Sequence, residues 1–229
     1  MAGRTKRSDP PESRRPGFGA TLAPSFFDRR PDLVAPQLLG AILFRRVAEE
    51  TLAARIVETE AYLGPEDPAS HAYRGPNNKN AAMFGPPGRA YVYPIHAKWC
   101  LNTVTEREGS GTGVLLRAAE PLQGDAFFAA RSPGLSRFDW LRGPARLCRA
   151  MAIDRTFNHM PFDDSGSLWI AAPEDAMQEG DQIAVSPRVG VTKASERPLR
   201  FFLRGSRFVS SLRRWHAEPL ALLEPYWRG

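Results

Sequence analysis

The segment Leu52–Tyr62 constrains the fold of this chain more than any other. It reads Leu-Ala-Ala-Arg-Ile-Val-Glu-Thr-Glu-Ala-Tyr, and its alternation predicts a β-strand, in which successive side chains point to opposite faces. On that spacing Ile56, Glu58, Glu60 and Tyr62 share one face. Two carboxylates on such a face are costly to bury unless partners or a chemical task hold them there. Glu60 beside Tyr62, with His71 a loop away, has the makings of a general base next to a slot for a flat ring.

The neighbouring segments supply a sheet for this strand. Ala41–Arg46 alternates well enough to pair with it, and Arg89–Ile95, Trp99–Thr103, Val114–Ala119, Leu168–Ala171, Ile183–Val185 and Leu199–Arg204 read as further strands. Short helices are predicted near Ser25–Asp28 with Ser25 as cap, over Pro31–Leu39 ending at Gly40, over Pro121–Ala130, and from Gly143-Pro144 to Ala152. The stretch from Gly64 to Gly88 is dense in Pro, Gly and Asn, and a loop of that length inside a domain is usually functional. Gly109-Ser-Gly-Thr-Gly113 reads as a turn. Strands and helices interleave without a βαβ rhythm, so the expected fold is a single mixed α+β domain over residues 21–229. Residues 1–20, rich in Pro, Arg, Ser and Gly, are expected to form a disordered basic tail.

Charge says less than its total suggests. The net charge is +6, but residues 1–20 hold five basic and two acidic residues, so half of the excess sits in the tail. A basic surface has to come from clustering. Arg131–Arg149 contains five arginines and one aspartate, and Glu196–Arg214 six arginines and one glutamate. Such patches suit a polyanion such as nucleic acid, and equally an ordinary solvated face. No apolar run approaches a membrane span, and no signal peptide is visible, so no membrane partner is expected. Cys100 and Cys148 form no C-x-x-C pair and are expected as free buried thiols. With four histidines and two cysteines in no ligand spacing, neither a metal nor a cofactor is expected.

Several chemistries fit the candidate residues. Glu58 and Glu60 could act as a glycosidase pair, since residues i and i+2 of a strand lie roughly 6.5 Å apart. Alternatively, Glu60 alone activates water while Glu58 makes a structural contact. Tyr62, Tyr91, Tyr93 and His71 could wall an aromatic slot for a planar base, or be ordinary half-buried sheet residues. The loop Arg74-Gly-Pro-Asn-Asn-Lys-Asn80 offers charge and amides to phosphates, as do Arg146 and Arg149 beside the start of the helix at Pro144. Gly109-x-Gly-x-Gly113 lacks the dinucleotide fingerprint, and no P-loop or nucleophile elbow occurs.

A longer pattern runs through the chain. Arg55–His71 is followed in order by Met83-Phe84, Gly88-Arg-Ala-Tyr-Val-Tyr93 and Cys100-Leu-Asn102. Then come Val114–Leu122, Gly143-Pro-x-x-Leu-Cys148, Arg188-Val-Gly-Val191 and Pro198–Gly205. In these motifs and their order the sequence closely resembles the 3-methyladenine (alkyladenine) DNA glycosylase family over about residues 21–211. The resemblance implies a curved, largely antiparallel sheet flanked by helices, with a protruding DNA-intercalating hairpin. It implies a monomeric, monofunctional base-excision repair enzyme without cofactor or metal. Such an enzyme hydrolyses the N-glycosidic bond of alkylated purines (3-methyladenine, 7-methylguanine), and of some deaminated ones, in double-stranded DNA by base flipping.

By the same resemblance Glu60 matches the general base that activates water. Tyr62, His71 and Tyr93 match the walls of the base pocket, Asn102 the guard against normal guanine, and Arg117 the active-site arginine. Arg74, Asn78, Lys79, Asn80 and Arg146 are the expected backbone contacts. In a bacterium such a protein would be cytoplasmic and nucleoid-associated, with nucleus or organelle open elsewhere. One departure stands out. The family places an intercalating tyrosine on the hairpin before the Cys-x-Asn motif, whereas Tyr93-Pro-Ile-His-Ala-Lys-Trp-Cys-Leu-Asn102 is one residue shorter and has none. His96 is the first candidate wedge and Ile95 the second, and Pro94 is expected to interrupt the strand. Two other classes stay open at this point: a nucleoside or carbohydrate glycosidase using both glutamates, and a non-catalytic binder of damaged DNA.

Overall fold

The computed structural model describes residues 18–173, 182–210, 218–224 and 226. Most of the expected tail, together with Arg213 and Arg214 of the second basic cluster, lies outside them. In chain order the regular elements are β1 (Phe18–Thr21), α1 (Pro24–Phe27), α2 (Pro31–Gln37), β2 (Ile42–Val47), β3 (Glu50–Tyr62), β4 (Ala90–Ile95), β5 (Lys98–Thr105) and β6 (Thr112–Gln123). They continue with α3 (Asp125–Arg131), α4 (Pro144–Ala150), β7 (Leu168–Pro173), β8 (Ile183–Ser186), β9 (Arg200–Leu203) and β10 (Ala221–Leu223). The ten strands form one sheet, ordered β1-β7-β2-β3-β6-β5-β4, with β9 also beside β3 and β8 and β10 continuing from it. Every named pairing is antiparallel. The architecture is therefore α+β with a large antiparallel open sheet and few, short helices. No helix of the described residues is long and apolar enough to cross a membrane.

β3 is the spine of the sheet. Its first half pairs with β2, its second half with β9 through Glu58–Glu60, and its other edge with β6. The side chains do not keep the even alternation that the sequence predicts. Leu52, Ala54 and Ile56 point into the main core, but further along the strand Ala61 does so, and Thr59 Oγ1 donates to the Ala35 carbonyl of α2 at 2.8 Å. The pairing with β6 shifts register between Ile56 and Glu58 and again between Glu58 and Thr59. A bulge of this kind inserts a residue and exchanges the faces beyond it. Glu58, Glu60 and Tyr62 thus share a face that Ile56 does not, contrary to the strict alternation. The bulge spares the core helix a pair of carboxylates and aims them at the opposite side.

Other predicted elements need correction. The helix expected over Pro121–Ala130 begins only at Asp125, because β6 runs on to Gln123 to stay paired with β3 at Ala53 and Ala54. Gly124 makes the corner at φ +103, where a Cβ would sit 2.4 Å from a Leu52 methyl. Ser25 does not cap α1, which starts at Pro24 after Ala23 with no side-chain cap. Pro94 does not interrupt β4. It pairs opposite Trp99, and β4 lies at the end of the sheet, where a missing N–H is tolerated. Ile95 pairs with Lys98 across a two-residue turn of His96 (φ 46) and Ala97 (φ 60). Positive φ at both central residues is the signature of the hairpin turn whose twist suits the flanking strands. The loss of one residue relative to the family pattern therefore yields a tight, regular hairpin.

Candidate active site

Glu58 and Glu60 are both fully buried, and their surroundings divide their roles. Arg200 is also buried; its Nε donates to Glu58 Oε1 at 2.6 Å, and its other nitrogens reach Ser186 Oγ and the Ser210 carbonyl. Arg117 Nε approaches the same Oε1 at 3.3 Å, while Ser210 N–H donates to Oε2 at 2.7 Å. Two guanidinium groups and a backbone amide converge on Glu58, and two of these partners, Arg200 and Ser210, lie away from the cavity beside Glu60. Glu58 neutralises the interior where β3, β6 and β9 meet. A buried charge held in this way is costly to leave unpaired.

Glu60 is held differently. Oε1 accepts the Val189 N–H at 2.7 Å, and Oε2 accepts the Tyr62 hydroxyl at 2.9 Å and Arg117 Nη1 at 3.3 Å. Burial and the neighbouring Glu60 charge push the Tyr62 phenol well above its ordinary pKa, so it stays a proton donor in this contact. Burial pulls the Arg117 pKa down, but Glu60 and Glu58 outweigh it and hold the guanidinium above its usual value. Arg117 thus bridges the two carboxylates from β6, at the second register shift.

Beside Glu60 lies a cavity of about 280 Å³. Its walls include Tyr62, His71, Tyr91, Tyr93, Asn102 and Arg117, drawn from β3, the loop after it, β4, β5 and β6. The aromatic rings are locked together. Tyr91 and Tyr93 stack at 5.3 Å, His71 meets Tyr93 edge-on at 4.3 Å, and His71 Nδ1 lies 2.9 Å from the Tyr91 hydroxyl. This packing lowers the His71 pKa through desolvation although one side of its ring stays open. Burial likewise raises the Tyr91 and Tyr93 phenols far above their ordinary range. At neutral pH the aromatic walls are therefore uncharged. Asn102 donates through Nδ2 to the Tyr91 carbonyl at 3.0 Å, which fixes its amide on the cavity wall. A flat ring entering here meets π faces on its sides and Arg117 at its edge, with the buried Glu60 behind Tyr62, Arg117 and Val189, which bond it and line the cavity.

The structure brings the five base-pocket candidates and Ile95 to one cavity, with Glu60 bonded to two of them, and leaves the remaining candidates away from it. Ile95 extends the Tyr91–Tyr93 face, lines the cavity and is 43% exposed, while His96 sits at the exposed hairpin tip. Arg74, Asn78 and Lys79 are exposed on the loop after β3. Asn80 is buried, and its amide is spent on the His71 and Gly75 carbonyls and the Asn77 N–H. Arg146 pairs with Asp139, as does Arg142, and Arg137 pairs with Asp125. Three arginines of the first cluster are thus in ion pairs with Asp125 and Asp139, and Arg200 of the second is in the interior with Glu58. Cys100, a buried free thiol like Cys148, lines the cavity.

Sequence reasoning left three parts of the site unassigned. Lys193 lines the cavity mouth, the Val189 amide holds Glu60, and Arg188 beside it pairs with buried Asp67. The motif Arg188-Val-Gly-Val191 was the available signal, but a backbone donor has no side-chain signature. Among the described residues, no group of three His, Cys, Asp or Glu is placed to hold a metal ion.

Comparison with known proteins accounts for this assembly. The model of the methylpurine-DNA glycosylase family matches residues 25–207. A protein of Rhodopirellula baltica is 44% identical over 223 residues, covering 93% of this chain and 94% of its own. One of Burkholderia lata is 44% identical over 207 residues, covering 90% and 97%. One of Methanoculleus marisnigri is 43% identical over 192 residues, covering 83% and 98%. All three are named, provisionally, as 3-methyladenine DNA glycosylases. The cavity thus sits within a match that spans most of the sequence, and the chain belongs to the methylpurine-DNA glycosylase family.

Proposed function

We propose that this protein is a monofunctional DNA glycosylase that rotates an alkylated purine out of duplex DNA and hydrolyses its N-glycosidic bond, with Glu60 activating the water. The observation that carries this reading is the buried Glu60 carboxylate, fixed by three donors, Tyr62, Arg117 and the Val189 amide, whose residues all line an aromatic cavity. A base inside a duplex is out of reach, so flipping costs a few kcal/mol, less for a damaged base. Stacking on Tyr62, Tyr93 and His71 returns part of that cost.

The chemistry follows from charge. A purine methylated at N3 or N7 is already cationic, and its bond to C1′ breaks with the electron pair going to the base, which leaves neutral. Positive charge grows on the sugar as the bond lengthens, and a nearby carboxylate stabilises it. The water oxygen bonds to C1′, and its proton passes to Glu60. The products are the free base and an abasic site. Deaminated purines such as hypoxanthine are neutral, so their departure needs a proton. Neutral His71 and the high-pKa phenols supply one poorly, and excision of these lesions is slower in this reading. Asn102 carries discrimination against normal guanine.

On the outside, Arg74, Asn78, Lys79 and Lys193 supply phosphate contacts, and the β4–β5 hairpin enters the duplex, with the enzyme acting as a monomer on double-stranded DNA. Ile95 is the better wedge, because it lies next to the cavity on the face of Tyr93. Incubation with methylated duplex DNA tests the reading through its products. It expects free 3-methyladenine and intact strands bearing abasic sites. Strand cleavage without added base would contradict the monofunctional mechanism, and no base release would contradict the glycosylase reading.

A further inference from the structure

We propose that Asp67 and Arg188 form a positioning clamp that sets Glu60 for catalysis through the Val189 amide. The proposal rests on the glycosylase reading and adds residues that neither touch the cavity nor face solvent. Both side chains of the pair are completely buried. Arg188 Nη2 donates to Asp67 Oδ1 at 2.8 Å, and Nη1 donates to Asp67 Oδ2 and to the Ala61 carbonyl, the latter at 3.0 Å. Its guanidinium carbon also lies 4.7 Å from the centre of the Tyr62 ring. Asp67 in turn accepts the Leu63 and Ala69 N–H groups, which ties the loop after β3 to the same point.

One arginine therefore grips three things at once: the strand residue next to Glu60, the ring that hydrogen-bonds Glu60, and the loop leading to His71. The residue after it, Val189, donates to Glu60 Oε1 at 2.7 Å. That amide can hold its place only if the backbone at residue 188 is fixed. A bidentate fork onto a buried carboxylate fixes it with directional precision that a surface loop lacks. The arrangement is costly if its only purpose is stability, since a buried pair seldom outperforms apolar packing. Its placement one residue from a donor on the general base gives the cost a use.

The test compares wild type, Asp67→Asn, Arg188→Lys and Glu60→Gln in single-turnover excision of 7-methylguanine from duplex DNA and in abasic-site binding. Loss of the Val189 donor lets the Glu60 carboxylate leave its set position, so the chemical step should slow while DNA binding is kept. We expect the Asp67→Asn single-turnover rate to fall about tenfold or more, with abasic-site binding retained. Arg188→Lys keeps a cation for Asp67 but loses the fork, and should show the same pattern more weakly.

No loss of rate, or an equal loss of rate and of abasic-site binding, overturns the clamp. So does failure of both variants to fold by circular dichroism, since the pair would then be structural only. If wild type releases no base, or Glu60→Gln matches it, the glycosylase reading itself fails. If Glu60→Gln is inactive and Asp67→Asn is unaffected, only the clamp fails.

Discussion

At the scale of single residues, the site separates two glutamates that the sequence presents as equals. Glu58 accepts Arg200, Arg117 and the Ser210 amide, whereas Glu60 accepts one amide, one hydroxyl and one guanidinium edge beside a cavity. The difference predicts different phenotypes. Glu58→Gln removes the carboxylate charge on which buried Arg200 and Arg117 converge and should cost about 3–5 kcal/mol of stability, the usual penalty for breaking a buried ion pair. Denaturant unfolding measures it, and a loss under about 1 kcal/mol would contradict the structural role assigned to Glu58. Strand spacing alone leaves this partition open beside a two-glutamate reading, and the partners of Glu58 are not legible in it. The residues that saturate Glu58 come from positions 117, 200 and 210, and only the fold brings them together. Tyr62 and His71, by contrast, were legible as slot residues because they stand close to Glu60 along the chain.

At the scale of elements, β3 and the β4–β5 hairpin carry the proposed function, and each differs from its sequence reading by a local device. β3 is predicted as a strand paired with β2, but its pairing with β6 and β9 is not, and the bulge after Ile56 is invisible to a period-two pattern that continues on both sides of it. The long β6 was read as a short strand and a helix because Pro121 looks like a strand breaker. Pairing with β3 overrides that local preference. In the hairpin, Pro94 sits in an end strand and the chain turns through two residues at positive φ, so the tip is compact. Ile95 lies beside the cavity and His96 at the tip. Ile95→Ala should therefore reduce excision from duplex DNA by about tenfold more than from single strands, while His96→Ala has the smaller effect. Kinetics on matched duplex and single-stranded substrates decide it, and equal losses on both substrates would remove Ile95 as the wedge.

At the scale of the whole molecule, one antiparallel sheet gathers cavity walls from β3, β4, β5 and β6 and from the segments around His71 and Val189, with Glu60, the proposed general base, on its spine. The basic composition contributes less than it suggests, because many arginines neutralise acids inside or along the surface. Their pairing makes stability depend on acid. Burial alone would raise the Asp67 pKa, but Arg188 outweighs it and holds the carboxyl below its ordinary value. The sign follows: a depressed native pKa stabilises the fold above the unfolded value of about 3.9 and loses that contribution as pH falls through the native value. Thermal unfolding should accordingly be nearly flat in pH from neutrality to about 5 on account of Asp67 and fall more steeply below about 4. Asp67→Asn should lack that added acid steepness, and an unchanged steepness would show that the pair contributes nothing to it.

The central claim is that Glu60 activates the water attacking C1′. It is tested most directly by single-turnover release of 3-methyladenine from methylated duplex DNA, comparing wild type with Glu60→Gln. A positioned general base contributes about 10²–10⁴-fold, so the variant should lose excision by that factor while binding abasic-site DNA as tightly as wild type. A Glu60→Gln enzyme that releases 3-methyladenine at the wild-type rate would contradict the account.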